Sequence, residues 1–159
     1  KQAIESRLIA LGRAHDLLMQ ARWSSASLAG VVRGATEPYD GLDGGRFLIE
    51  GPEIAIGSGA VIAMAMTFNE LCTNATKFGA LSVPSGCVEI AWTIDAERLR
   101  LSWTEIGGPE VHAPSRKSFG TRMVDRLGKQ LNGEVLLDYQ TSGFVYTLDV
   151  PLISLKSQG

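Results

Sequence analysis

One stretch of the sequence combines the pattern of a buried helix with a row of polar side chains. An apolar run begins at Val61 and closes at Leu81, and it contains an acid, two amides and a lysine. On a helix, Glu70 and Asn74 stand one turn apart on one face, and Lys77 lies about one turn further on. A carboxylate, an amide oxygen and a cation on one stripe suit a bound metal–phosphate group. The alternative is an amphipathic core helix whose polar residues face water.

The ends of this helix are marked as well. Gly57-Ser58 predicts an N-cap, and Gly79 is typical of the C′ residue that follows a helix C-terminus. A long helix is therefore expected between these positions.

The composition restricts the class of protein. A chain of 159 residues with 45% hydrophobic and 20% charged residues is sized for one globular domain with its own core. A net charge of −2 gives no indication of a basic surface that would bind nucleic acid or an anionic membrane. Cys72 and Cys87 follow no metal-ligand spacing, which favours reduced packing residues in the cytoplasm. The sequence begins in a helical pattern without Met, so we expect a piece of a longer protein, whose parent could be membrane-anchored.

The first residues have the spacing of a helix that pairs with another helix. Between Gln2 and Arg22 the pattern advances in steps of 4-3-4-3. The members of this seam are Ile4, Leu8, Leu11, His15 and Leu18. We expect the seam to pack on a helix of another chain or of an upstream region. His15 is accordingly interpreted as a helix-packing residue.

Short elements follow this helix. Residues 23–27 interrupt the pattern and predict the cap of a short helix over 28–35, which Glu37-Pro38 ends. The glycine-rich loop 41–45 follows no strand and precedes no Gly-Lys-Ser/Thr, so a plain connection is predicted there and not a nucleotide-binding loop. Short strands are predicted at Phe47–Glu50 and 54–56, around a Gly51-Pro52 turn.

Period-two alternation predicts two hairpins. The first turns near 95–97, and the second turns at 141–143. The inward residues of the first hairpin are Val88, Ile90, Trp92, Ile94, Leu99, Leu101 and Trp103. The same period places Glu105 on the inward face at the end of its strand. A carboxylate on the core side of a strand is costly unless it has a partner, which makes Glu105 a candidate site residue.

A glycine-rich break and a helix lie between the hairpins. Gly107, Gly108 and Pro109 end the strand, and Phe119-Gly120-Thr121 begins a helix that Asn132-Gly133 ends. The predicted fold class is α+β: a two-layer sandwich in which helices cover one face of a mixed, mostly antiparallel sheet. Strict βαβ alternation is absent, which argues against a doubly wound fold.

Three of these features could share one pocket. A helix start at Gly120-Thr121 offers free N–H groups and a positive dipole end to a phosphate. Glu105 could accept a hydrogen bond from the exocyclic amine of adenine, beside glycines that let a planar base approach. The loop between these motifs carries Arg116 and Lys117, which could close over a polyphosphate. Together with the polar stripe, this combination indicates an ATP site without a Walker motif.

The same segments resemble the motifs of a known family. Residues 68–81 (FNELCTNATKFGAL) look like the N box of the Bergerat (GHKL) ATP-binding fold. Residues 103–109 (WTEIGGP) and 118–123 (SFGTRM) look like the two glycine boxes of the HWE sensor histidine kinases. Residues 14–18 (AHDLL) resemble the end of that family's second dimerisation helix. The resemblance runs from about residue 7 to residue 152.

The resemblance implies a domain organisation and a role for each candidate residue. Residues 1–22 would be a remnant of the second dimerisation helix, 23–153 the catalytic ATP-binding domain and 154–159 a tail. Asn74 would coordinate Mg²⁺ on the phosphates, and Glu70 would polarise or orient the acceptor imidazole. The nucleotide would be held by Lys77, Glu105, Gly107, Gly108, Phe119, Gly120 and Thr121. Arg116, Lys117 and Arg122 are weaker candidates for phosphate contacts.

Two positions depart from the family pattern. The HWE family has a histidine just before the N-box acid, whereas this chain has Asn69, which is closer to the related HisKA-2 kinases. The family's phosphoacceptor segment, a His-Arg-x-Lys-Asn-like stretch, is absent from the sequence. His15 resembles an acceptor only superficially, and His112 is interpreted as a surface residue.

The expected function is that of the catalytic part of a two-component sensor histidine kinase, with ATP and Mg²⁺ as cofactors. The γ-phosphoryl group would pass to a histidine on helices of the same protein and then to an aspartate of a response regulator. A cytoplasmic domain of a homodimeric parent is expected, without nucleic acid or direct membrane contact. One alternative is a non-catalytic Bergerat-fold module that serves as a docking surface. A second is an ATPase subunit of the chaperone or topoisomerase kind, against which the Trp103-Thr104-Glu105 box weighs.

Overall fold

The structure is a computed structural model that describes residues 2–20, 26–41, 44–114 and 118–156. The helices are α1 (Gln2–Gln20), α2 (Leu28–Thr36), α3 (Ser58–Phe78), α4 (Phe119–Gln130) and α5 (Leu152–Lys156). The strands are β1 (Ala26–Ser27), β2 (Phe47–Glu50), β3 (Ala55–Ile56), β4 (Cys87–Asp95), β5 (Arg98–Ile106), β6 (Glu134–Gln140) and β7 (Gly143–Pro151). Two 3₁₀ turns occupy Glu37–Tyr39 and Ala80–Ser82.

The main sheet has five strands in the order β2-β4-β5-β7-β6. Only the β2–β4 pair is parallel, with Phe47 opposite Val88, and the other three pairs are antiparallel. Both predicted hairpins form. The first turns through Ala96 and Glu97, whose φ angles of 49° and 62° are those of a tight two-residue turn. The prediction of a mixed, mostly antiparallel sheet is confirmed.

Alternation along β5 positions the candidate acid. Leu99, Leu101 and Trp103 are at most 1% exposed, and Glu105 continues their face with 5% exposure. Each of these apolar side chains contributes about 1.5–3 kcal/mol by leaving water, and this fixes the register of the strand. A slip by one residue would bring Glu105 to the outer face. Burial of the apolar side chains of β5 therefore keeps the Glu105 carboxylate on the inner face of the sheet.

The helices pack on the inner face of the sheet and enclose one core. α3 lies at its centre, with Val61, Met64, Phe68 and Leu71 buried. α1 contributes Ala14 and Leu18 to the same core, and α2 contributes several residues of its own. Ser27 caps α2 as predicted, because its side chain accepts a hydrogen bond from the amide of Gly30 at 2.9 Å. The two-layer α+β architecture is confirmed.

Most of the seam of α1 faces away from this core. Ile4 and Leu8 are each 63% exposed and Leu11 is 41% exposed, whereas Leu18, the last residue of the seam, is buried together with Ala10 and Ala14. The core therefore takes Leu18 and the small residues of α1 and leaves most of the seam uncovered. Pairing of the seam with another helix stays a prediction.

The strands around Gly51-Pro52 do not pair with each other. β2 joins β4, while β3 forms a separate two-stranded ladder with β1, in which Ile56 lies opposite Ala26. Between these strands, the carbonyl of Pro52 accepts from the indole N–H of Trp92 at 2.9 Å. A Cβ on Gly51 would come within 2.5 Å of Nε1 of that ring. The chain therefore crosses over the indole and leaves the main sheet.

Both ends of α3 lie where they were predicted. α3 begins at Ser58, and its N-cap is Gly57. Gly79 follows α3 as its C-cap, with φ −115°. Its Cα lies against Glu105, and a side chain there would overlap the carboxylate oxygen Oε1. Glycine is required for that close approach.

Several predicted features fall outside the described residues, namely 23–25, Arg116, Lys117 and 157–159. Within the ranges that the structure does describe, no helix is both long enough and apolar enough to cross a membrane.

Candidate functional site

The C-terminal half of α3 connects the two ends of the candidate site. Glu70 lies beside the start of α4, and Gly79 lies beside Glu105 of β5. Nine residues of helix separate them, which corresponds to about 13 Å along the axis. Asn74 stands between these ends and is half-buried, and Lys77 is exposed. The predicted polar stripe is thus one wall with a carboxylate at each end.

Glu70 is almost completely enclosed at the first end. Its carboxylate is 5% exposed and is paired with Arg7 of α1, whose Nε donates to Oε1. The other oxygen, Oε2, faces Gly120, where an added Cβ would come within 2.5 Å. The start of α4 carries a partial positive charge, so the arginine and the helix end both compensate the buried acid. Glycine at 120 allows this approach.

The start of α4 is capped by its own sequence. Ser118 Oγ accepts from the backbone N–H of Thr121 at 3.1 Å and lies 3.0 Å from its hydroxyl. Phe119 is 62% exposed, and the guanidinium of Arg7 lies 5.0 Å above its ring centre. The structure therefore places Gly120 against Glu70 of the N box and leaves Phe119 at the surface. The Thr121 amide is hydrogen-bonded to the capping side chain of Ser118.

Glu105 forms the second end and is held through both oxygens. The backbone N–H of Ala80 donates to Oε1 at 3.0 Å, and the indole N–H of Trp103 donates to Oε2 at 2.9 Å. Burial raises the pKa of this carboxyl, and the hydrogen bonds from Trp103 and Ala80 oppose that rise. The Trp-x-Glu spacing thus places donor and acceptor on one inward face, which orients the acid.

The two glycines after Glu105 allow close contact between their backbone and the turn at 80–86. Gly107 has φ +75°, a conformation that favours glycine, and Ser85 Oγ donates to its carbonyl at 2.8 Å. Gly108 packs on Ala80, and a Cβ there would come within 2.6 Å of the Ala80 Cα. Both glycines therefore rest on the turn at 80–86. The backbone after Glu105 is therefore packed closely on the turn that also supplies the Ala80 donor to the acid.

Asn69, where the family has histidine, is tied to α1 and to the 3₁₀ turn after α2. It is 3% exposed, and its Oδ1 accepts from Ser6 Oγ at 2.8 Å and from the Tyr39 hydroxyl at 3.4 Å. Its Nδ2 has no partner within the described part of the chain. Asn69 therefore forms a contact between helices, next to Glu70 and outside the stripe of Glu70, Asn74 and Lys77.

Sequence patterns missed three residues at this site: Ser6, Arg7 and Arg46. Ser6 and Arg7 stand in α1 between apolar seam positions, where polar residues predict only a solvated face. Arg46 stands in a loop end, and its guanidinium donates to three backbone carbonyls of the turn at 80–86. No spacing rule links any of the three to the N box, because each contact is made across more than 30 residues of chain.

The raised pKa of Glu105 has a consequence for stability. The folded chain binds this proton more tightly than the unfolded chain, whose carboxyl titrates near pH 4.3. Glu105 should therefore lower the free energy of unfolding as the pH rises from about 4.3 through the folded pKa, and the cost should persist above it. Urea unfolding across this range, with Glu105→Gln as the reference, should show the wild type losing stability relative to the variant. An increase of the difference in favour of the wild type would contradict the assignment.

Comparisons with known proteins agree with this geometry. Residues 1–53 match the HWE histidine kinase family. A blue-light-activated histidine kinase of Brucella ovis is 31% identical over 151 residues, which are 92% of this chain and 31% of that protein. The corresponding protein of Brucella anthropi is 29% identical over 156 residues, or 95% of this chain and 32% of that protein. The chain thus spans about a third of the length of these curated relatives.

Solved structures share the fold at low sequence identity. The histidine kinase domain of the blue-light activated kinase from Erythrobacter litoralis superposes with a TM-score of 0.76 at 20% identity, over 96% of this chain and 76% of that one. The histidine kinase domain of the E. coli osmosensor EnvZ gives a TM-score of 0.57 at 15% identity, over 86% and 93%. Motifs, relatives and fold agree in supporting an HWE-type histidine kinase, and the chain has the GHKL fold of a histidine kinase catalytic domain.

Proposed function

We propose that this chain is the ATP-binding catalytic domain of a two-component sensor histidine kinase. The observation that carries the proposal is the juxtaposition of Glu70 with Gly120 at one end of the C-terminal half of α3 and of Gly79 with Glu105 at the other. An extended nucleoside triphosphate would lie along this half of the helix, with its base at Glu105 and its phosphates toward Asn74 and the start of α4.

At the base end, Glu105 would accept the hydrogen bond of the adenine amine. Its two oxygens already hold internal donors, yet each oxygen has two acceptor sites, so capacity remains for a ligand. Gly107 and Gly108 would let the base lie against backbone. Selection of adenine would follow from the fixed acceptor.

At the phosphate end, the donor set suits a magnesium ion that arrives with the nucleotide. No cluster of three or more His, Cys, Asp or Glu side chains among the described residues could hold a metal by itself. Mg²⁺ is characteristically held by one or two protein oxygens together with substrate phosphates and water. Asn74 would supply one protein oxygen, and Lys77 with the start of α4 would balance phosphate charge. Bound magnesium would screen the charge of the phosphates against an attacking nucleophile.

Glu70 would act on the acceptor. A carboxylate that accepts the N–H of an imidazole orients the other ring nitrogen for in-line attack on the γ-phosphorus, and ADP then leaves. In this structure Glu70 forms an ion pair with Arg7. Delivery of the imidazole therefore requires Arg7 to withdraw or to share the carboxylate.

The whole protein would be a cytoplasmic or membrane-anchored homodimer. Residues 1–22 would belong to its dimerisation helices, and the acceptor histidine would lie on helices of the same protein. The phosphoryl group would then pass to an aspartate of a response regulator.

Calorimetric titration with ATP and Mg²⁺ tests the proposal. The wild-type chain should bind, and Asn74→Ala and Asn74→Asp should weaken magnesium-dependent binding at least about tenfold, or ~1.4 kcal/mol. Asn74→Ala removes the oxygen ligand, whereas Asn74→Asp adds negative charge beside the phosphates. Gln130→Ala, at the exposed end of α4, is the control and should bind like the wild type.

The outcome also separates the proposal from the non-catalytic alternative. A chain that binds no ATP in the presence of Mg²⁺ would instead be a docking module that keeps the fold. Asn69 motivates that alternative, because it stands where the HWE family has its histidine and is engaged with Ser6. Tight binding that neither Asn74 variant changes would contradict the proposed site.

A further inference from the structure

Arg46 lies outside every sequence motif and holds the turn at 80–86, on which Glu105 rests. Arg46 immediately precedes β2, and its Nε donates to the carbonyl of Gly86 at 2.9 Å. Its Nη2 donates to the carbonyls of Ala80 at 3.2 Å and Val83 at 2.6 Å. One side chain thus fixes both ends and the middle of the turn at 80–86.

Arg46 is itself fixed by its backbone. Its N–H donates to Asp40 Oδ1 at 2.8 Å, and its carbonyl accepts from the N–H of Val88 at 2.8 Å. Within the described ranges the guanidinium makes no ion pair with a carboxylate, so its donors serve neutral carbonyls. The guanidinium reaches the three carbonyls from two nitrogens held in one rigid plane, whereas lysine has a single nitrogen on a flexible stem and is therefore a poor substitute.

The turn that Arg46 holds is the surface on which Glu105 rests. Ala80 donates its N–H to Oε1, the Gly108 Cα packs on Ala80, and Ser85 donates to the carbonyl of Gly107. A shift of the turn would move the Ala80 amide away from the carboxylate. It would also open the backbone contacts of both glycines. Trp103 alone would then orient Glu105.

We propose that Arg46 is a positioning residue for recognition of the nucleotide base, and that it acts on Glu105 through the turn at 80–86. The inference rests on the proposed function, since it assigns Glu105 to the adenine amine. Arg46 would contact neither base nor phosphate. Its contribution is to keep the carboxylate where the amine arrives.

The ratio of ATP affinity to inosine triphosphate affinity measures this contribution. Inosine has an oxygen in place of the exocyclic amine of adenine, and the sugar and phosphates are the same. Arg46→Lys should lower the ratio about tenfold, the equivalent of about one lost hydrogen bond. A ratio taken on one sample is independent of the folded fraction, because partial unfolding scales both apparent affinities equally. The readout therefore survives a loss of stability.

Two further measurements complete the test. Arg98→Lys is the matched control, since Arg98 is half-buried at the opposite end of β5 and donates to Asp149; its ratio should equal that of the wild type. In a Glu105→Gln background, Arg46→Lys should change ATP affinity less than about twofold, because residues that act through one another are non-additive.

The outcomes distinguish failure of the proposed function from failure of the role of Arg46. A wild-type chain that binds no ATP removes the proposed function and this inference together. A wild-type chain that binds ATP, with an unchanged ratio in Arg46→Lys, overturns the inference alone. Full additivity with Glu105→Gln also overturns it, because Arg46 would then act elsewhere.

Discussion

Replacing Arg7 by methionine is expected to lower the free energy of unfolding by about 3 kcal/mol. The substitution keeps an unbranched side chain beside Phe119 but leaves Glu70 as an unpaired charge in a site that is 5% exposed. Removal of one partner of a buried ion pair is costly because the other partner must stay charged without compensation or take up a proton. Urea denaturation at neutral pH measures the effect.

A double replacement separates the charge from the packing. Arg7→Met with Glu70→Leu should recover most of the loss, because two apolar groups of similar volume tolerate burial as well as an ion pair does. Arg98→Met removes an ion pair whose two side chains are each 33% exposed, and Asp149 retains Arg100. That control should cost less than about 1 kcal/mol. Equal losses in Arg7→Met and Arg98→Met would show that burial of Glu70 is not the cause.

Replacing Gly86 by alanine should cost about 3 kcal/mol, at the upper end of the range for overpacking. The new Cβ would overlap the carbonyl oxygen of Ala80 and come within 2.8 Å of the Ala80 Cα. Backbone atoms cannot rotate away as a flexible side chain can, so the turn at 80–86 must move. For a chain of this size, the melting temperature should fall by roughly 6–12 °C.

The matched control for this variant is Gly59→Ala in the first turn of α3. Nothing lies within 4 Å of a Cβ added there, and alanine favours the helix. Gly59→Ala should therefore raise stability by about 0.5–1 kcal/mol. If Gly86→Ala were as stable as the wild type, the close approach of Gly86 to Ala80 would be wrong.

Local patterns predicted most of the fold because they act over short distances. Alternation in β4 and β5, and the helical period with its caps in α2 and α4, depend on neighbours a few residues apart. The pairing of β2 with β4 was not predictable in this way. It joins segments about 40 residues apart, as does the hydrogen bond from Trp92 to Pro52 just after β2. Long-range contacts of that kind leave no period in the sequence.

The same distinction between local patterns and long-range contacts applies to the candidate site. Glu105 was predictable because an acid in phase with Leu101 and Trp103 requires a partner, and the structure supplies two donors. Arg7 and Arg46 were not predictable, since a charged residue in an exposed-looking position indicates nothing about a partner on another element. The assigned roles of Asn74, Lys77 and Gly120 in binding stay predictions for nucleotide titration.

The contacts between α1 and α3 restrict both the rotation of α1 about its axis and its translation along that axis. Ser6 and Arg7 are consecutive, and they bind the consecutive residues Asn69 and Glu70. Neighbouring side chains on a helix diverge by about 100°, so rotation of α1 that preserves one contact misaligns the other. A slide by one residue, about 1.5 Å, would likewise break the register of both. Arg7 therefore compensates the charge on Glu70 only at one angle and one height of α1, so this ion pair reports the position of that helix.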